Sequence, residues 1–220
     1  MPRVTKRAVV FDFDGVVADS WALHERAWAA VLKPLGTMVP EGALERALGL
    51  SSVKTAELVI EACGLDADPL ELGQAKSRYF ATHADEVAPM AGAPAAITRL
   101  AEQFPVAITA IRMREGVERF VRKFQLQETL AAVVCRDDVD QDATLEQVLT
   151  ACATQLELPP ERCVIIEDAR NGLLAAERVG YKSIAFNSNP KHDIDFSMAD
   201  SVIGALDELV PELVTTVTAR

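Results

Sequence analysis

Ala8-Val9-Val10-Phe11-Asp12-Phe13-Asp14-Gly15 is a run of apolar residues that ends in two acids and a glycine. The apolar part is too short for a helix. It also lacks the apolar/polar alternation of a half-buried strand, which leaves a strand covered on both faces of a parallel sheet. Similar runs recur at Val106-Ala107-Ile108, Ala131-Ala132-Val133-Val134, Cys163-Val164-Ile165-Ile166 and Ser183-Ile184-Ala185-Phe186. A helical pattern precedes each of the last four runs, over Ala93 to Gln103, Arg114 to Phe124, Leu145 to Leu156 and Asn171 to Val179, the last stopped by Gly180. Strand and helix therefore alternate, and the expected fold class is α/β with a doubly wound parallel sheet.

The first strand breaks that rhythm, because about ninety residues separate it from the second. These residues read as helices: Trp28, Val31, Leu32 and Leu35 share one helical face that Gly36 ends, and further helices are expected over Glu41 to Leu48, Val53 to Ala62 and Leu70 to Ala84. The expected organisation is an α/β core from residues 1–15 and 89–220, with an inserted all-helical domain at 16–88. Pro89 and Gly92 form a candidate hinge. A short strand near Ser201 to Ile203 and a final helix over Ala205 to Leu213 complete the expected elements.

The 220 residues are 50% hydrophobic and 25% charged, which suits a globular chain with a sizeable core. A formal net charge of −11 repels nucleic-acid backbones and anionic membrane surfaces, so neither is an expected partner. An anionic substrate would need local positive charge from a metal, basic side chains or helix N-termini. No stretch approaches the ~18 uninterrupted apolar residues of a membrane span, and a cytoplasmic location is expected. Cys63, Cys135, Cys152 and Cys163 are widely spaced with no CxxC pair, and read as reduced, buried thiols rather than a zinc site.

In an open parallel sheet the carboxyl ends of the strands line the active crevice, so Asp12 and Asp14 can face one cavity. Taken alone, a strand-end turn with solvated aspartates would explain them as well. The second pair, Glu167-Asp168, ends another buried strand, and Ala169-Arg170-Asn171-Gly172 then opens a helix. Two acidic strand ends at one sheet edge repel each other unless a divalent cation lies between them, and oxygen-only ligands favour Mg²⁺.

With these residues in view, the chain resembles the haloacid dehalogenase superfamily over nearly its whole length. The signature DxDGV(x)xDS stands at Asp12 to Ser20, and a later acidic motif, EDSxxGxxAA, stands at Glu167 to Ala176 with Ala169 in place of the serine. His24 and Ala27-Trp28 at the start of the insert resemble the β-phosphoglucomutase and phosphoglycolate phosphatase branch. The resemblance implies a Rossmann-like core with a helical cap and a Mg²⁺-dependent phosphatase acting on a small phosphorylated substrate. It casts Asp12 as the nucleophile that forms an aspartyl phosphate and Asp14 as the general acid and base. The metal site it implies involves Asp12, Asp14 through its main chain, Glu167 and Asp168.

Two departures from the family pattern bear on the phosphate site. The family's Ser or Thr after the second core strand falls on Thr109 or on Ala110, depending on loop length. Its Lys before the second acidic motif falls on Ala143, and no lysine occurs between Lys123 and Lys182. Arg112 and Arg136, each following a strand, are the candidate replacements, with Lys123 or Lys191 as further alternatives. In the cap, His24 and Lys76 are candidate substrate contacts, and Arg78 is a weaker one. Asn187 and the run His192-Asp193-Ile194-Asp195 could reach the metal shell, although a surface loop is the plainer expectation. Besides the phosphatase, the missing lysine keeps open a non-catalytic or very weak protein of this fold, and a sugar phosphomutase is a third reading.

Overall fold

The structure is a computed structural model that describes residues 6–140, 143–188 and 194–219. Its elements in chain order are β1 (Ala8–Asp12), β2 (Ala18–Asp19), α1 (Trp21–Leu32), α2 (Ala43–Arg46), α3 (Ser52–Cys63), α4 (Pro69–His83), β3 (Ala88–Pro89), α5 (Ala93–Ala101), β4 (Val106–Ala110), α6 (Arg114–Lys123), β5 (Ala132–Cys135), α7 (Leu145–Gln155), β6 (Cys163–Glu167), α8 (Arg170–Val179), β7 (Lys182–Phe186), β8 (Ser201–Ile203) and α9 (Pro211–Val217).

Six strands form one parallel sheet in the order β5-β4-β1-β6-β7-β8. The absence of alternation in the strand sequences has its cause in two covered faces. On one face Val9, Phe11, Ile108, Val164 and Ile166 pack with Ala96 and Ile97 of α5, Val117 and Phe120 of α6, and Val214 of α9. On the other, Val10, Ala107, Val134 and Ile165 pack with Val148, Leu149 and Cys152 of α7 and Ala175 and Ala176 of α8. Burying each large apolar side chain is worth ~1.5–3 kcal/mol, so these continuous apolar strands are stable only as the middle layer.

β1 lies at the centre with β4 on one side and β6 on the other, so the winding direction reverses beside it. That reversal opens a crevice at the carboxyl end of β1, where Asp12 stands. The register sets Asp12 against Thr109 of β4 and Phe11 against Ile166 of β6, which brings Glu167 next to the level of Asp12.

The insert is helical, as expected, and has its own core of Trp28, Leu32, Leu44, Ala56, Val59 and Leu72. Its helices begin where the local chemistry caps them: Ser51 Oγ accepts from the Lys54 amide at 3.3 Å, and an Asp68 carboxylate oxygen accepts from the Leu70 and Glu71 amides at 2.7 and 3.3 Å. The structure corrects three expectations. The helix expected over Glu41 to Leu48 shrinks to the four residues of α2, because Gly42 and Gly49 both adopt positive φ. The tail helix is displaced: a single 3₁₀ turn at Leu206–Glu208 is followed by α9, which starts at Pro211, the first helical position. Cys63 is only half-buried, whereas the other three cysteines are buried; all four are free thiols. No described helix is long and apolar enough to cross a membrane.

The two connections between insert and sheet pair with each other as a two-stranded antiparallel ribbon, Ala18 against Pro89 and Asp19 against Ala88. The Met90 amide extends the pairing by donating to the Val17 carbonyl at 2.9 Å.

Candidate functional site

Asp12, Glu167 and Asp168 form an acidic cluster in which one carboxylate oxygen from each lies within 4.8 Å of the others. Two glycines make room for it. A Cβ on Gly15, whose φ is +76°, would lie 1.9 Å from Asp168 Oδ2, and one on Gly172 would lie 1.6 Å from Glu167 Oε1. The cluster's own hydrogen bonds are few: the Asp14 amide donates to Asp12 Oδ2 at 3.0 Å, the Ala169 amide to Glu167 Oε2 at 2.6 Å, and the Ser188 hydroxyl to Asp168 Oδ2 at 3.2 Å.

Burial pushes the Asp12 carboxyl well above the usual range, with the charges of Glu167, Asp14 and Asp168 adding to it. Burial does the same to Glu167, helped by Asp168, and raises Asp168 against the opposing hydrogen bond from Ser188. One buried and two partly buried carboxyls therefore face one another, with only a few neutral donors around them among the described residues. A hard divalent cation fits such an all-oxygen donor set, since it removes the mutual repulsion that drives these shifts.

Asp14 points elsewhere. Its Oδ1 accepts from the Ser20 hydroxyl at 2.5 Å and faces His24 Nε2 at 3.4 Å, while its Oδ2 is ion-paired with Arg112 Nε. The Arg112 guanidinium stacks 3.8 Å from the ring centroid of Phe80, on helix α4 of the cap. Lys76 is buried, with Nζ 2.6 Å from His24 Nδ1 and within 5.8 Å of the Trp28 ring centroid. Both neighbours of Nδ1, Lys76 and Arg112, offer only donors, so Nδ1 accepts and the ring proton sits on Nε2, toward Asp14. Burial, then Arg112, then Lys76 hold the His24 pKa well below the usual histidine range, which keeps the ring neutral. Burial and Arg112 likewise lower the Lys76 pKa well below the usual lysine range, against the opposing pull of Asp14.

These groups border one cavity of about 340 Å³ between sheet edge and cap. Asp12, Asp14, Glu167, Asp168, Arg112, His24 and Lys76 all line it. Thr109, Ala110, Arg136 and Ala143 do not. Alternation along β4 sets Thr109 on the same face as Asp12, its Oγ1 buried and without a hydrogen-bond partner, whereas Ala110 joins the opposite apolar face. Arg136 donates its amide to the Arg112 carbonyl at 3.1 Å, and its buried Nε has no partner. Ala143 is packed among the apolar residues under α7.

Arg78 is exposed, and Lys123 Nζ donates to the Asp85 carbonyl at 2.5 Å, away from the cavity. The Asn187 amide donates to the Ile203 carbonyl at 2.9 Å. Asp195 is exposed on a loop, its carboxylate accepting from the Ser197 amide at 2.9 Å. Lys191, His192 and Asp193 lie outside the described residues.

Sequence reasoning gave no role to Ser188, nor to the Asn171 side chain, which donates to the Leu48 carbonyl at 2.7 Å and ties the acidic motif's helix to the cap. Neither has a local periodicity to betray it. Ser20 closes the signature motif, but its short bond to Asp14 becomes visible only in the fold.

The chain is similar to known proteins in both sequence and fold. A sequence profile of the family described as haloacid dehalogenase-like hydrolase matches residues 9–186. The chain is 25% identical over 177 residues to fructose-1-phosphate phosphatase YqaB of Escherichia coli, covering 80% of this chain and 94% of that protein. It is 26% identical over 182 residues to a phosphorylated carbohydrates phosphatase of Thermotoga maritima, covering 80% of this chain and 83% of that one. In fold it is similar to the crystal structure of β-phosphoglucomutase from Clostridium difficile, with a TM-score of 0.81 at 16% identity, covering 97% of each chain.

Proposed function

This chain belongs to the haloacid dehalogenase-like hydrolases, and from that premise we propose that it is a Mg²⁺-dependent phosphatase of a small phosphorylated substrate, with Asp12 as its nucleophile. The observation that carries this reading is the acidic cluster of Asp12, Glu167 and Asp168 beside a cavity lined by Arg112, His24 and Lys76. The relatives' activities on phosphorylated carbohydrates support it.

Asp12, Glu167 and Asp168 would hold the Mg²⁺, with the Asp14 main chain as the further ligand that the family resemblance implies. Bound there, the ion supplies charge neutralisation between the nucleophilic carboxylate and the phosphate. Asp12 attacks phosphorus and the bond to the alcohol oxygen breaks, while Asp14, having taken up a proton from solvent once Arg112 leaves it for the phosphate, delivers that proton to the leaving oxygen. Asp14 then takes a proton from the water that opens the aspartyl phosphate and returns it to solvent, so the carboxylates end as they began.

Arg112 pairs with Asp14 on the cavity wall, so an entering phosphate competes for its guanidinium. Transfer of Arg112 to the phosphate frees Asp14 and provides the cation that the family's lysine would have supplied. Thr109 is buried beside Asp12 and does not line the cavity, so Arg112 is the phosphate's candidate partner. His24, held neutral, keeps its Nε2 proton and donates the N–H toward Asp14 Oδ1, which orients that carboxylate.

The deciding experiment is phosphate release from a panel of phosphomonoesters by the wild type and Asp12→Asn, with and without Mg²⁺. Turnover is expected only in the wild type with metal, with both proteins equally folded by circular dichroism. Full activity in Asp12→Asn would overturn the assignment. A second reading, a protein of this fold with little or no turnover, draws on Ala143 standing apolar where the resembled family has its lysine; inactivity of the wild type across the panel would favour it.

A further inference from the structure

The charged and apolar parts of the cavity are segregated. Among the described residues, the three basic ones that line it, Arg112, His24 and Lys76, gather at the Asp14 end: Arg112 is paired with Asp14, His24 faces it at 3.4 Å, and Lys76 lies 2.6 Å from His24. The wall that the cap supplies from residues 44 to 55 carries no charge among its described lining residues and is built on Leu44, Ala47, Leu48 and Leu50. Trp28 lines the cavity beside them. The cations nearest to this wall in the sequence do not line the cavity: Arg46 is exposed, and Lys54 is exposed and paired with Glu57 at 2.9 Å.

Hydroxyls are scarce there too. Thr55 already donates its Oγ1 to the Ser51 carbonyl at 3.0 Å, which leaves Ser52 as the remaining side-chain hydroxyl of that wall among the described residues.

From this segregation we infer that the substrate is the phosphomonoester of an uncharged alcohol whose non-reacting end is apolar, with the bulk of a single ring or short alkyl chain, and that it carries no second anionic group. The inference rests on the phosphatase reading above and specifies its substrate class. A second phosphate or a carboxylate at the far end would lie against leucines with no cation to meet it, and burying it unpaired is costly. A polyol would lose water from several hydroxyls and regain few hydrogen bonds. An apolar body loses nothing of the kind and gains the burial of its own surface and of the leucine wall. The cavity's 340 Å³ is near the bottom of the ~300–1,000 Å³ range of ligand pockets, which limits the alcohol to one ring or its equivalent.

The test compares benzyl phosphate, fructose 1-phosphate and phosphoglycolate as substrates with Mg²⁺ present. Benzyl phosphate leaves as an ordinary alkyl alcohol, so its ranking does not reflect an activated leaving group. Its kcat/KM is expected to exceed those of the other two by ~10-fold or more, and Leu48→Ser is expected to narrow that ratio, since apolar pocket contacts of this size discriminate by ~10–200-fold. In parallel, calorimetry on the Asp12→Asn protein with Mg²⁺ ranks the binding of the same three compounds without turnover. If no compound is hydrolysed, the phosphatase reading fails, and the binding order still decides the substrate class. Binding and turnover that favour fructose 1-phosphate or phosphoglycolate, or that do not distinguish the three, would overturn the inference and leave the phosphatase reading standing.

Discussion

Replacing Arg112 with alanine separates two roles that meet in one side chain. Structurally, Arg112→Ala removes the ion pair to Asp14 and the stacking on Phe80 at 3.8 Å. The Arg112 side chain is 13% exposed and that of Asp14 26%, so the pair is partly screened. Asp14 also keeps the Ser20 hydroxyl at 2.5 Å and His24 at 3.4 Å, so it is not left unpaired. Loss of a partly exposed ion pair and one cation–π contact amounts to about 2 kcal/mol. At ~2–4 °C per kcal/mol for a chain of this size, the melting temperature should fall by about 4–8 °C.

The kinetic loss should be larger. Removing a positioned electrostatic group from a transition state costs ~10²–10³ in kcat, or ~2.7–4 kcal/mol. The assay is phosphate release on the best substrate with saturating Mg²⁺, at a temperature well below both melting points. Arg112→Lys keeps a positive charge but loses the planar fork, and should recover part of kcat without restoring the stacking. A kcat for Arg112→Ala within about threefold of the wild type, equivalent to ~0.65 kcal/mol, would refute the role of Arg112 in the reaction.

Further expectations concern the acidic cluster and the missing lysine. Because folding raises the Asp12, Glu167 and Asp168 pKa values, the folded metal-free protein holds protons that the unfolded chain has already released. The cluster's own contribution to stability is therefore fully present below the ordinary carboxyl range near pH 4 and is lost as pH rises toward the folded values; melting curves in a chelator from pH 5 to pH 8 read this loss, and Mg²⁺ should restore it most strongly at pH 8. A melting temperature that rises with pH in the chelator would contradict the repulsion argument. Gly172→Ala gains up to ~1 kcal/mol in helix propensity but places a Cβ 1.6 Å from Glu167 Oε1, an overlap worth ~1–3 kcal/mol that should prevail, lowering both melting temperature and Mg²⁺ affinity by calorimetry. Ala143→Lys should leave kcat no higher than the wild type and lower the melting temperature, since Ala143 is packed in the apolar core under α7 and Arg112 supplies the cation; a rise in kcat of ~10-fold or more would refute that role of Arg112.

The strands were legible because burial on both faces suppresses polar positions. The ranges of α5 to α8 were legible because amphipathic periodicity and caps such as Thr144 with Gln147 act locally. The β2–β3 ribbon was not, since two-residue strands have no period to detect. The Glu41 to Leu48 segment misleads for a related reason: its apolar spacing is helical, but its glycines adopt a backbone that ends the helix early. At the site, both acidic motifs were plain, yet nothing local separates Arg112 from Arg136, each two or fewer residues beyond a strand. Their difference arises in three dimensions, where Phe80 and Asp14 draw Arg112 to the cavity while the Arg136 amide supports the Arg112 carbonyl. The apolar cap wall was equally hidden, because Leu44, Leu48 and Leu50 read simply as helix and loop residues until the cavity brings them together.

The central position of β1 has a consequence for how the molecule comes into being. During synthesis β1 emerges first, but Asp12 meets its neighbour Thr109 only after the whole helical insert has been made, and Phe11 meets Ile166 later still. Until then the nascent chain exposes an apolar strand with both edges unpaired, a surface prone to association. The insert, with a core of its own, can gather meanwhile from contacts near in sequence, which form fastest. The acidic cluster is thus completed only when β6 docks, so a chain stalled before Glu167 lacks its centre whatever the cap has done.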